Sequence, residues 1–146
     1  MDQFPIEQHI IDVLTEYVDK SFTIRLIEDN KPWNEILKDI LQSVFPKATI
    51  TITTPETWLS IEQEIREQQF DMAFVDVNLN KFSEHPKYGT NGLTVIPFIK
   101  KESPNTCIIA FSSNSKLNDI AVKDGANFGI VKKDIICLPK QIGMKK

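Results

Sequence analysis

Apolar positions in this chain alternate between two periods. Ile6, Ile10, Val13, Leu14, Tyr17 and Val18 recur at helical spacing and predict an amphipathic helix. The β-branched run SFTIRLIEDN then predicts a strand that ends in two acids, Glu28 and Asp29. A second helix is expected over KPWNEILKDILQSVF, with Pro32 suited to its first turn and an apolar stripe running from Trp33 to Val44. ATITITT reads as a strand, and Pro55 as the start of a helix through ETWLSIEQEIREQQ. FDMAFVDVNLN has the composition of a buried strand but carries Asp76 near its end. After the polar stretch NKFSEHPKYGTN come a helix from Gly92 that contains Pro97, the strand NTCIIAFSS, the short helix SKLNDIAVKDG and the strand ANFGIVKK. The tail DIICLPKQIGMKK meets Pro139, so any last helix is expected to be short and interrupted there.

Strands alternating with helices predict a parallel sheet covered on both faces. With right-handed crossovers the expected fold class is α/β, a flavodoxin-like, doubly wound five-stranded parallel sheet in the order 2-1-3-4-5. The expected organisation is an N-terminal helical extension over 1–20, the α/β unit over 21–138 and a short tail over 139–146. The helix of the extension is expected to pack on the domain or to mediate a homodimer.

Composition narrows the classes. At 146 residues, 41% hydrophobic and 25% charged, the chain suits one soluble globular domain. A net charge of −3 argues against nucleic-acid and anionic-membrane partners, which call for a basic patch. The acidic N-terminus lacks the apolar core of a signal peptide. Cys107 and Cys137 lie among apolar residues without metal-like spacing, so both are expected to be reduced and buried, as in a cytoplasmic protein.

In doubly wound sheets chemistry gathers outside the carboxyl ends of the strands. Here those ends carry Glu28 and Asp29, Asp76, Ser112 and Ser113, and Lys132 and Lys133. Adjoining carboxylates repel one another, and oxygen-only ligands of this kind suit Mg²⁺. A lysine and a hydroxyl beside them would cradle a phosphoryl group, with Asp76 as the nucleophile that accepts it.

These motifs resemble the receiver domain of two-component response regulators over roughly 22–135: LIEDN, DMAFVDVNL, NGL, CIIAFSS and DGANFGIVKK stand in the family's order. The resemblance implies that Asp76 is the phosphoacceptor. Asp29 would be the direct Mg²⁺ ligand, Glu28 the acid acting through water, and the main-chain carbonyl of Asn78 a further ligand. Ser112 would be the switch hydroxyl, Ser113 the small residue beside it, and Lys132 the family lysine, with Lys133 as its competitor. Asn78 and Asn114 hold positions that tune the lifetime of the phosphoryl group, and His85 is a further candidate modulator. The implied partners are a histidine kinase or histidine phosphotransfer protein and an output protein reached by direct contact, with no nucleic acid and no membrane. The implied chemistry is self-phosphorylation and autodephosphorylation only, so the chain is not expected to be an enzyme.

The sequence also departs from the family. The stretch between Asp76 and Gly92 is longer than usual and carries His85, Tyr88 and Gly89. The aromatic switch position, three before Lys132, is Gly129, while Phe128 should point to the opposite face. No proline follows the lysine. A phosphorylation-independent pseudo-receiver is therefore one alternative. An aspartyl-nucleophile phosphohydrolase is a weaker one, because its general acid would stand where the chain has Asn78. His9 reads as a surface residue, and Trp33 and Trp58 as helix residues packing on the sheet.

Overall fold

The computed structural model describes residues 5–53, 58–77 and 92–145. Strands β1 (Thr23–Ile27), β2 (Thr49–Thr53), β3 (Met72–Asp76), β4 (Cys107–Ser112) and β5 (Phe128–Val131) form one parallel sheet, ordered β2-β1-β3-β4-β5. Between and around them run helices α1 (Gln8–Thr15), α2 (Lys31–Val44), α3 (Trp58–Glu67), α4 (Gly92–Glu102), α5 (Ser115–Lys123) and α6 (Leu138–Lys145). A 3₁₀ segment, Lys132–Cys137, joins β5 to α6. Fold class and strand order are those expected from the sequence.

Alternation along the strands sorts side chains onto two cores. Ile24, Leu26, Met72, Phe74, Ile109, Phe111 and Ile130 face α1, α2 and α6. Ala73, Val75, Ile108 and Ala110 face α3, α4 and α5. Strand β3 is buried at every position, whereas edge strand β2 shows its threonines to solvent until Thr53. Arg25 is buried in β1. Its guanidinium donates to Thr53 Oγ1 at 2.7 Å and to the carbonyls of Glu64 and Gln68 at the end of α3, and stacks 4.1 Å from the Phe70 ring.

The N-terminal helix belongs to the first of these cores. Ile6, Ile10, Ile11, Leu14 and Val18 are buried with residues of β1, α2 and α6. The Ile6 N–H donates to Gln141 Oε1 and Gln141 Nε2 donates back to the Ile6 carbonyl, both at 3.1 Å and both buried. This reciprocal pair fastens the N-terminal segment to α6. Pro139 lies in the first turn of α6, where its missing N–H forfeits no intrahelical bond. It helps to start the helix it was expected to interrupt.

Two further expectations are adjusted. Strand β5 stops at Val131, so Lys132 and Lys133 fall in the 3₁₀ segment rather than in the strand. Both cysteines are unpaired but half-buried, and burial pushes the Cys107 thiol up to about 11. Helix α4 starts at Gly92 and contains Pro97, as expected, with the proline ring exposed. The expected helix start at Pro55 lies outside the described residues. Among the described residues no helix is long and apolar enough to cross a membrane.

Leu14 has no exposed surface, so Leu14→Ala should cost about 2–5 kcal/mol. Urea denaturation measures this loss, which an extension resting loosely on the surface would not show.

Candidate functional site

The parallel register brings the ends of β1 and β3 to one edge of the sheet, with Ile27 opposite Val75 and Asp76 opposite Phe111 of β4. Chain leaving β1 turns at once into α2, which places Glu28 and Asp29 beside Asp76. The turn is shaped by its own polar groups. Asn30 caps α2 by accepting from the Trp33 N–H at 3.0 Å, and its own N–H donates to Glu28 Oε1 at 2.9 Å. Asn34 Nδ2 donates to the Glu28 carbonyl at 2.9 Å. The cap of α2 is therefore Asn30 and neither of the two acids before it.

Glu28, Asp29 and Asp76 are all buried, and each offers a carboxylate oxygen within 4.8 Å of the others. Lys132 reaches into this group from the chain after β5. Its ammonium lies 2.8 Å from Glu28 Oε2 and 3.1 Å from Asp76 Oδ2. Lys133 is exposed, so of the two lysines Lys132 is the one at the acids. The Trp33 ring lies 4.8 Å from the Lys132 ammonium and the Phe111 ring 5.7 Å from it, giving the cation an aromatic floor and wall.

The electrostatics follow from burial. Desolvation and the neighbouring Asp76 push the Glu28 carboxyl up to about 8, although Lys132 and the Asn30 N–H pull against the shift. Desolvation also works against the Lys132 charge, but the acids Glu28 and Asp76 outweigh it and hold its pKa above the ordinary value. Among the described residues one ammonium, that of Lys132, faces three buried acids, and the proton held by Glu28 lowers the negative charge there. A divalent cation would relieve it more fully. Three convergent carboxylates supply the hard oxygen donors that such an ion takes, so the residues present fit the Mg²⁺ expected from the sequence.

Ser112 is fully buried at the end of β4, on the face opposite Phe111. Its hydroxyl lies 3.0 Å from Asn118 Oδ1 and 2.9 Å from the Asn114 carbonyl, and it accepts from the Asn114 N–H at 3.1 Å. Ser113 is exposed. The Asn114 side chain caps α5, accepting from Lys116 N–H at 2.9 Å and Leu117 N–H at 3.4 Å. Asn78 and His85 lie outside the described residues. His9 is exposed, pairs with Glu7 at 3.3 Å and meets the Phe128 ring edge-on.

Two contacts were not anticipated. The sequence marks Trp33 only as a packing residue, yet its place four positions after Asp29, in the first turn of α2, sets it over the lysine. Asn118 gave no signal beyond its position on the apolar side of a short helix.

The folded-state pKa of Glu28 lies above its ordinary 4.5, so the native protein holds a proton that the unfolded chain releases as pH rises. That contribution is whole below about 4.5 and is lost as pH climbs to about 8. Chelator-treated protein should lose stability across this window, and Glu28→Gln should flatten the slope. Thermal unfolding at a series of pH values measures both.

Compared with known proteins, the chain matches the family model of the response regulator receiver domain over residues 24–138. No curated protein matches it significantly. Solved structures do. A response regulator from Burkholderia pseudomallei with a phosphorylated aspartic acid, calcium ion and citrate aligns at TM-score 0.60 and 16% identity, over 84% of this chain and 71% of that one. The signal receiver domain of a DNA-binding response regulator protein (merR) from Colwellia psychrerythraea 34H aligns at TM-score 0.64 and 22% identity, over 85% and 97%. NtrX from Brucella abortus in complex with ATP aligns at TM-score 0.64 and 17% identity. In that case 86% of this chain spans only 28% of NtrX. These likenesses establish the shared fold, and the family match covers most of the chain. With its carboxyl-edge acids and lysine in the family's order, the chain belongs to the response regulator receiver domain family of two-component signalling.

Proposed function

We propose that this chain is a phosphoacceptor receiver in which Asp76 takes a phosphoryl group from a histidine kinase or histidine phosphotransfer protein in a Mg²⁺-dependent reaction. The observation that carries the reading is the Lys132 ammonium bridging Glu28 and Asp76 at the carboxyl edge of the sheet. A half-buried lysine positioned against a nucleophilic carboxylate serves phosphoryl transfer, because it neutralises a phosphoryl oxygen as the group arrives. The phosphorylated aspartic acid in the Burkholderia pseudomallei structure supports the same reading.

The step balances simply. An Asp76 carboxylate oxygen attacks phosphorus, the phosphorus–nitrogen bond of the donor phosphohistidine breaks, and the leaving imidazole keeps the electron pair and takes a proton. Lys132 neutralises one equatorial oxygen, and the Ser112 hydroxyl donates to another once it turns toward the site. Water later attacks phosphorus, releasing phosphate and restoring the carboxylate. Held by Glu28, Asp29, Asp76 and the Asn78 carbonyl, Mg²⁺ would supply charge neutralisation for the acids and the incoming phosphoryl group. Output passes to a protein partner through contacts that change with the acyl phosphate. Domain limits of 1–20, 21–138 and 139–146, a cytoplasmic setting and a homodimer belong to the same proposal. So do Ser113 as the small residue beside the switch hydroxyl, and Asn78, Asn114 and His85 as modulators of lifetime.

Incubation with Mg²⁺ and a small phosphodonor such as acetyl phosphate, followed by intact-mass measurement, should show one added phosphoryl group. Asp76→Asn should abolish the adduct and chelation should suppress it. An unmodified wild type would instead favour the pseudo-receiver. Lys132→Ala should lower the yield of adduct at least tenfold, the scale of losing one preorganised charge, while Lys133→Ala should leave it unchanged.

A further inference from the structure

The position where an aromatic residue is expected holds Gly129, and the structure shows what occupies the space. A Cβ built on Gly129 would lie 3.0 Å from Asn118 Cβ, 3.2 Å from the Asn118 carbonyl oxygen and 3.4 Å from its carbonyl carbon. Two of those atoms belong to the backbone of α5, which has little room to yield. Helix α5 is therefore seated on β5 more closely than any residue with a side chain at 129 would permit without a shift.

What that approach delivers is the Asn118 amide. The residue is 4% exposed and its amide is fully used. Nδ2 donates to the Ile130 carbonyl at 3.1 Å and to the Ser112 carbonyl at 3.4 Å, while Oδ1 lies 3.0 Å from the Ser112 hydroxyl. One side chain on α5 thus joins the ends of β4 and β5 and holds the hydroxyl of Ser112. Ser112, Ala110 and Gly129 share this face of the sheet, since Ala110 is the register partner of Gly129. Asp76 is opposite Phe111, whose ring lies on the other face beside Lys132.

We propose that Asn118 is the positioning residue for Ser112: it holds the hydroxyl on the α5 side of the sheet until a phosphoryl group on Asp76 draws it away, and Gly129 is the residue that lets it do so. The inference rests on the phosphoacceptor reading of Asp76. When Ser112 turns toward the phosphoryl group, Asn118 Oδ1 loses its partner inside the protein. A buried acceptor left in that state is costly, so the first turn of α5 must shift to satisfy it. Helix α5 then reports the state of Asp76 through an amide rather than through a moving ring.

The test follows the rate of acetyl phosphate labelling of Asp76 in a double-mutant cycle. Asn118→Ala should leave the Ser112 hydroxyl held only by Asn114, through its carbonyl at 2.9 Å and its N–H at 3.1 Å, and raise the rate roughly 3- to 10-fold, the equivalent of one net buried hydrogen bond. In a Ser112→Ala background the same substitution should change nothing, because no hydroxyl remains to be held. A general loosening of α5 would act equally in both backgrounds, and that result would overturn the proposal. Gly129→Ala, which displaces Asn118 without removing it, should act in the same direction as Asn118→Ala and gives a second route should that variant fold poorly. Hydrogen exchange adds an independent reading: on phosphorylation the amides of 115–123 should lose protection in the wild type and not in Asn118→Ala. Labelling of Asp76 at one rate in wild type, Asn118→Ala and Gly129→Ala would defeat the role of Asn118 while leaving Asp76 as the acceptor. A wild type that takes no phosphoryl group at all would remove both.

Discussion

Three buried acids gathered beside the Lys132 ammonium set the terms for the rest of this structure. Unit charges about 4 Å apart interact by about 4 kcal/mol at an effective dielectric of roughly 20, a large share of the stability of a domain this size. Glu28, Asp29 and Asp76 gather their oxygens within 4.8 Å. Such a cluster persists only when the scaffold around it is stiff and its charge is partly answered. Lys132 gives part of that answer, and the proton on Glu28 gives another part. The imbalance that remains makes the site receptive to a divalent cation, and through it to an anionic group.

The scaffold is stiff for identifiable reasons. Strand β3, which carries Asp76, is buried along its whole length at the centre of the sheet. The face beneath Lys132 is filled by α2 and by a joint layer of α1 and α6, fastened by the reciprocal Ile6–Gln141 bonds. Trp33 and Phe111 then shape the wall against which the lysine lies. The opposite face carries Ser112, Asn118 and Gly129. The sheet edge therefore divides the labour, with charge and cation on one face and the hydroxyl on the other.

The elements were legible because their causes are local. β-branched and apolar runs between polar stretches identified all five strands, and the order of the sheet followed from the right-handed crossovers of a doubly wound pattern. The acids at the ends of β1 and β3 could be placed at one edge because parallel connections send every carboxyl end the same way. Details that depend on a single residue's φ or on a competing contact were harder to read. Pro139 looked like an interruption because sequence alone did not say which residue would be first in α6. The lysines looked like strand residues because FGIVKK carries no turn signal, yet the chain leaves the sheet at Val131.

What the sequence determined by itself was the inventory: the fold class, the acids, the hydroxyl and a pair of neighbouring lysines, each at the end of its element. Choosing between Lys132 and Lys133 took tertiary structure, since adjacent residues in a 3₁₀ segment point in different directions and only one meets the acids. The meaning of Gly129 was also decided there. In the sequence it is an aromatic residue missing from its place. In the fold it is the clearance that brings Asn118 to Ser112, a contact made between β4, α5 and β5 by packing distance, which no periodicity encodes.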